Sequence, residues 1–194
     1  MNTRPAFVAA PLLVLSYGLI RIADGLDGSR GPGFAWTTGH LAFLAALVLF
    51  IVIFREMWRM LDRDRVATVS MVVGLAGIVF TFAQFAIDIV VGFMAADHDA
   101  MSPLFDQVQA IPGVEVMVYA AGPFLFYAAQ LALVIQLAVR RQVKVWTPFL
   151  VLLDFALPVV SKDLIPVGAV CMLVSFWPLY RRQAPAARHA LAHA

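Results

Sequence analysis

Apolar and polar positions fall along this chain in long blocks. Apolar stretches run over about 5–22, 36–54, 67–94, 116–139, 145–161 and 164–180, separated by short polar or charged segments. A helix needs about 20 apolar residues to cross the hydrocarbon core of a bilayer, and about 17 at the least. Every stretch reaches that limit, so the pattern predicts an all-α, polytopic membrane protein: a six-transmembrane-helix bundle. The last two stretches are short and pair as a hairpin. Ser161, Lys162 and Asp163 leave only a tight polar turn between them, flanked by Pro158 and Pro166. One helix cannot cover 145–180, which would be about twice the bilayer thickness.

The third stretch carries a stripe that the others lack. Ser70, Gly74, Gly77, Thr81, Gln84 and Asp88 follow one another at helical steps of three and four, which puts all six on one face. Small residues let a neighbouring helix come close, and Gln84 and Asp88 need partners away from lipid. This helix is therefore expected at the centre of the bundle with its stripe turned inward.

The connecting segments carry their own signals. Residues 25–35 are rich in Gly and Pro and read as irregular chain, with Thr37 or Thr38 as a cap for the second helix. Residues 55–65 alternate charge with Met57, Trp58, Met60 and Leu61, the pattern of a helical extension at the membrane interface. Residues 97–115 hold acids and no lysine or arginine, and 104–108 is expected as a short helix on the outer surface. The transmembrane domain covers 1–182, and 183–194 is expected to be a disordered cytoplasmic tail. The first stretch begins like a signal peptide, but Arg21 would stand where cleavage after Ala23 wants a small residue, so it is expected to remain as a helix.

Composition agrees with the pattern. Of 194 residues 62% are hydrophobic and 13% charged, with mean hydropathy +0.88. A soluble domain is about 45–50% apolar and 25% charged, so lipid must replace water over much of this surface. The single cysteine, Cys171, excludes an internal disulfide and a Cys-rich metal site. Arginine outnumbers lysine 12 to 2, a composition that fits a GC-rich bacterial genome and an inner (cell) membrane location.

Charge placement sets the orientation. Arg4, the arginines of 55–65, Arg140, Arg141, Lys144 and the three arginines from Arg181 onward lie on one side, and Arg21, Arg30 and Lys162 on the other. That is eleven against three, and it places both termini in the cytoplasm.

The polar side chains within the spans gather in the outer half of the membrane. Asp88 lies roughly 9 Å and Asp154 roughly 10 Å below the outer ends of their helices at 1.5 Å per residue. His40 and Tyr119 lie near the outer ends of theirs, with Arg21 just above. An Asp at this depth costs about 2.5–3.5 kcal/mol on insertion scales, so each needs a partner or a purpose. A structural account pairs Asp88 with Arg21 or His40 and hydrogen-bonds Asp154 to Gln130 or Tyr127, and of these the Arg21 pair is expected for Asp88. A functional account gathers Arg21, His40, Gln84, Asp88, Tyr119, Gln130 and Asp154 around one extracytoplasmic pocket. Pro123 and Pro158 are read first as packing kinks and second as sources of free carbonyls facing that pocket.

No cofactor or metal is expected. His40 is the histidine near a span, whereas bis-histidine haem needs two at facing positions, and no spacing motif supports zinc on His40, Asp88, His98 or Asp154. Walker, dinucleotide-binding, HExxH and GxSxG motifs are missing, and nothing points to nucleic acid. The leading expectation is the handling of a small solute, ion or proton, as a transporter or transport-associated subunit and not as an enzyme. The partner is the bilayer, with a homodimer or a membrane partner subunit as candidates. The alternatives are an intramembrane enzyme acting on a lipid or isoprenoid, with Asp88 and Asp154 as its acid/base pair, and a non-catalytic accessory protein.

Overall fold

The computed structural model describes residues 3–26 and 28–182. Among these residues there are helices and no strands. The long elements are α1 (Ala6–Asp24), α2 (Phe34–Met60), α3 (Arg65–Met94), α4 (His98–Gln109), α5 (Gly122–Val139), α6 (Thr147–Val160) and α7 (Ile165–Arg182). A π-helical turn, Glu115–Ala121, leads into α5, and a short 3-10 turn, Lys162–Leu164, joins α6 to α7. Five helices are long and apolar enough to cross a membrane: α1, α2, α3, α5 with its π turn, and α7 with its 3-10 turn. The sixth apolar helix, α6, is shorter, at 14 residues. The tail expected at 183–194 lies outside the described residues.

The six apolar helices close into a ring in the order α1, α2, α3, α5, α6, α7 and back to α1. Each pair of neighbours is antiparallel. Gly39 of α2 packs on Tyr17 and Ile20 near the end of α1, and Gly18 of α1 packs on Pro166 at the start of α7. The contact between α5 and α6 is the sparsest in the ring, and α2 also touches α5 across its middle. Helix α4 lies outside the ring, against the end of α3.

Aromatic rings fill the centre at mid-depth. Phe7, Phe50, Phe54, Phe126 and Phe176 are fully or almost fully buried. Phe50 meets Phe126 edge-on at 4.8 Å and Phe176 at 6.3 Å, and Phe7 meets Phe176 at 5.7 Å. Lipid tails are as apolar as these rings, so close packing and quadrupole geometry hold the helices together here, at about 0.5–1.5 kcal/mol per aromatic pair.

The stripe on α3 is buried where it meets α5. A Cβ on Gly77 would lie 2.4 Å from the Phe126 backbone nitrogen, and one on Gly74 would lie 2.3 Å from the Phe54 ring. Further along the same seam Gln136 Nε2 donates to Ser70 Oγ at 3.0 Å. The central position expected for α3 is corrected, however. Only 28% of its most apolar stretch is buried, against 44% for α2. The stripe seats α5 at Gly77 and α2 at Gly74, while Val66, Val69, Val72, Val79 and Val90 cover the rest of α3 and face outward. The most enclosed member of the ring is instead α2, which turns Phe43, Leu47, Phe50 and Phe54 inward.

Local sequence explains the ends of the elements. Asp64 caps α3 by accepting from the Ala67 amide at 2.8 Å, and Asp97 caps α4 by accepting from Ala100 at 2.9 Å. Neither Thr37 nor Thr38 caps α2, which starts at Phe34 after Gly33 with no side-chain cap. The extension expected at 55–65 is a direct continuation of α2 to Met60, because Met57 and Leu61 stay buried. Trp58 stays at its side, donating to Thr68 Oγ1 at 2.9 Å. The short helix expected at 104–108 is longer at both ends. At this end of the bundle Arg140 pairs with Asp62 at 2.7 Å and also with Asp64, joining the α2–α3 turn to the end of α5.

Candidate functional site

The half of the ring that contains the end of α1, the start of α2 and the end of α3 holds a cavity of about 420 Å³. Its back wall is α1, α2 and α3, which contribute Tyr17, Arg21, Trp36, His40, Thr81, Gln84 and Asp88. Its front is the π turn, α5, α6 and the 3-10 turn. The exposed residues of its lining are Ala120, Phe124, Val159 and Lys162, all on that front. The cavity therefore opens where the start of α5 meets the end of α6, at one end of their sparse seam.

Local structure keeps that seam open. The amide of Gly122 reaches back five residues to the Met117 carbonyl, the bond of a π turn. Pro123 follows and has no amide hydrogen to continue the ladder. Opposite, Pro158 sits in the last turn of α6. Both prolines line the cavity, as the sequence allowed.

At the centre of the back wall is a chain of polar contacts. His40 Nδ1 lies 2.7 Å from the Trp36 carbonyl, one helical turn earlier. A carbonyl can only accept, so Nδ1 carries the hydrogen. His40 Nε2 lies 3.5 Å from Asp88 Oδ2. With Nδ1 already a donor, a favourable contact on the Nε2 side needs one further proton, on the imidazole or on the carboxyl. The Tyr119 hydroxyl stands 3.5 Å from Asp88 Oδ1, and Trp36 Nε1 donates to the Asp88 backbone carbonyl at 2.9 Å. The imidazole is held among aromatic rings, with centroids at 4.2 Å for Trp36, 5.2 Å for Phe85 and 5.6 Å for Tyr17. Gly92 makes room for Trp36, since a Cβ there would lie 2.7 Å from the indole.

The expected Arg21–Asp88 pair is corrected. Arg21 Nε lies 3.8 Å from Asp163 Oδ1, and Asp163 also takes Arg30 Nη2 at 2.7 Å. The 3-10 turn after α6 carries Asp163 over the outer end of α1, closer to Arg21 than Asp88 is. His98 completes this outer clasp through its Nδ1 contact with the Arg30 carbonyl.

Of the residues singled out from the sequence, the cavity brings together Arg21, His40, Gln84, Asp88 and Tyr119. It leaves out Gln130 and Asp154. Gln130 Nε2 donates to Asp154 Oδ2 at 3.3 Å, and both side chains are buried behind the cavity, where Asp154 Oδ1 faces Gly168 of α7. This pair is an internal clip across α5 and α6. The two acids thus have different surroundings: Asp88 meets Tyr119 before the start of α5, and Asp154 meets Gln130 well inside it. Depth along a helix follows from counting residues, but rotation about its axis does not.

Sequence reasoning missed Trp36, Thr81 as a cavity wall, Tyr127 and Lys162. Thr81 belonged to the inward stripe and Tyr127 follows Tyr119 on one face of the fourth span, so both left a signal. Lys162 left none, because its place depends on the short turn after α6. Among the described residues no group of three or more His, Cys, Asp or Glu side chains is arranged to hold a metal ion. The chain matches no protein-family model, no curated protein and no solved structure, so the functional reading rests on this geometry.

Proposed function

We propose that this protein is a six-span bacterial inner-membrane protein, with both termini in the cytoplasm, that binds a small ligand in its outer cavity. Its role is that of a transport-associated receptor subunit and not a complete pore. The observation that carries this reading is the His40–Asp88 contact on the wall of an open cavity, above a solid aromatic core. An imidazole beside a carboxylate can hold or hand over one proton, and Tyr119 and Gln84 add donors and acceptors for a ligand. Phe50, Phe54, Phe126 and Phe176 fill the path that a solute would need toward the cytoplasm. A partner subunit or a second copy would supply the remainder of a transport route. The enzyme alternative wants Asp88 and Asp154 in one chamber, and only Asp88 lines this one.

The six-span count draws on the antiparallel ring and on the eleven-to-three charge division. Helix α6 occupies a full place in that ring, and the turns at both of its ends add to its reach.

Thermal stabilisation tests the binding role. Purified protein in detergent is heated with a panel of small organic cations, organic anions, neutral polar solutes and short-chain phospholipids. A ligand of this cavity raises the midpoint of the wild type and not that of Asp88→Asn or Tyr119→Phe. A panel that stabilises all three proteins equally, or none, counts against the proposal.

A further inference from the structure

We infer that the ligand of the outer cavity is an anionic membrane lipid, which reaches it sideways from the bilayer between α5 and α6. The inference rests on the ligand-binding reading above and names the class of ligand.

Access is the first argument. The exposed part of the lining is the front, where Phe124 is 58% and Val159 79% exposed. In a bilayer those apolar side chains meet acyl chains, so the opening faces lipid as well as the outer surface. Depth is the second. From Tyr119 to Tyr127 the lining descends eight residues, roughly 12 Å at 1.5 Å per residue. Half of a hydrocarbon core is about 15 Å, so the cavity has the depth of one leaflet. It ends where Tyr127 stacks on Phe155 at 5.5 Å and closes the seam from one helix to the other. A chain of the outer leaflet fits that length.

Charge is the third argument. The outer side carries Arg21, Arg30 and Lys162 as its basic residues among those described. Two of them, Arg21 and Lys162, line the cavity. The nearby acids already have partners: Asp163 has Arg30 at 2.7 Å and Arg21 at 3.8 Å, and Asp88 has His40 at 3.5 Å. Among the described residues Lys162 has no carboxylate within ion-pair distance. The rim thus favours an anionic head group. Polar capacity is the fourth. Arg21 Nε, Thr81 Oγ1 and Gln84 Oε1 are buried without a hydrogen-bond partner among the described residues, and all three residues line the cavity. Thr81 itself is 2% exposed. The Arg21 guanidinium at the rim would answer a phosphate oxygen, and side-chain rotation would turn the Gln84 amide and the Thr81 hydroxyl, both closed to water in this packing, toward a head-group hydroxyl.

The test uses the full chain in nanodiscs of phosphatidylglycerol and phosphatidylcholine in equal parts, released into the gas phase for mass spectrometry. The wild type is expected to retain phosphatidylglycerol over phosphatidylcholine. Lys162→Gln should lower that preference roughly fivefold, the effect of one surface cation on an anionic lipid. Val159→Trp, at the exposed mouth, should reduce retention of both lipids while leaving the melting midpoint of the delipidated protein in detergent in place. Equal retention of the two lipids by the wild type overturns the inference, as does retention that Val159→Trp leaves unchanged. A Val159→Cys protein that cross-links to a second copy, with no lipid retained, also overturns it and makes this face a contact between chains. If lipid fails while a soluble solute stabilises the wild type and not Asp88→Asn, the lipid assignment falls and the binding reading stands. If both fail, both fall.

Discussion

His40 and Asp88 couple α2 to α3 within the apolar part of the bundle, where an unpaired carboxylate is expensive. Their energetic coupling is the most specific consequence at the scale of single residues. Residues in contact show interaction energies of about 0.5–3 kcal/mol, and distant residues add within about 0.5 kcal/mol. His40→Gln and Asp88→Asn should therefore be non-additive in thermal stability, because His40 Nε2 lies 3.5 Å from Asp88 Oδ2. Arg21→Gln and Asp88→Asn should add, because Arg21 is engaged with Asp163. Strong coupling in the Arg21 cycle with none in the His40 cycle would reverse the assignment. A second prediction concerns Gly77. A Cβ there meets the Phe126 backbone at 2.4 Å, whereas Val79 is 65% exposed. Gly77→Leu should cost about 1–3 kcal/mol by forcing α3 from α5, and Val79→Leu should be close to neutral. Melting of the two variants in one detergent compares them directly. Equal tolerance would mean that α3 does not pack on α5 through its stripe.

At the scale of elements, the helices were legible in the sequence and their rotations mostly were not. The small and polar stripe on α3 does fix which side of that helix packs, because only that side carries small side chains. That α2 and not α3 is the most enclosed helix was not legible, since the crowd around α2 comes from Phe43, Phe50 and Phe54. The Gln130–Asp154 contact was among the structural options that the sequence offered. That it lies behind the cavity depends on how α5, α6 and α7 turn against one another, and Gly168 is the residue that lets Asp154 in. The π turn before Pro123 left no periodic signal, because one extra residue in a turn is lost in an apolar run.

The end of α5 offers a test of local strain. Arg141 has φ 56°, a left-handed conformation, and Gln142 donates back to the Leu137 carbonyl at 2.8 Å. This is a helix C-cap of the kind that glycine usually fills, and a non-glycine residue there costs about 1–2 kcal/mol. Arg141→Gly should raise the melting midpoint of the protein, with Arg140 and Lys144 left to keep the positive charge of this turn. A lower midpoint would show that the Arg141 side chain contributes more than its backbone costs.

The whole molecule is a ring of antiparallel helices with a solid aromatic centre and one open seam. Its long apolar helices, five of them able to cross a membrane by length and composition, were legible because so few charges interrupt the apolar runs. The cavity was legible as a gathering of polar residues at one depth. Its open side was not, because the sparse α5–α6 contact arises from a short α6 set against a π turn. Topology is a prediction at this scale. Reporter fusions at Gly31 and Ala110 should read as external and one at Asp62 as internal, in line with the charge division. An external reading at Asp62 would invert the protein and turn the cavity toward the cytoplasm.

Thiol labelling in intact cells tests the cavity itself most directly. In a Cys171→Ser background, Gln84→Cys puts a thiol on the back wall of the cavity and Phe50→Cys puts one in the aromatic centre beneath it. A small, charged, membrane-impermeant methanethiosulfonate is added from outside. The account predicts rapid modification at Gln84→Cys and none at Phe50→Cys. Protection of Gln84→Cys from the outside reagent, or modification of both positions, would contradict an outward-opening cavity that ends at the aromatic core.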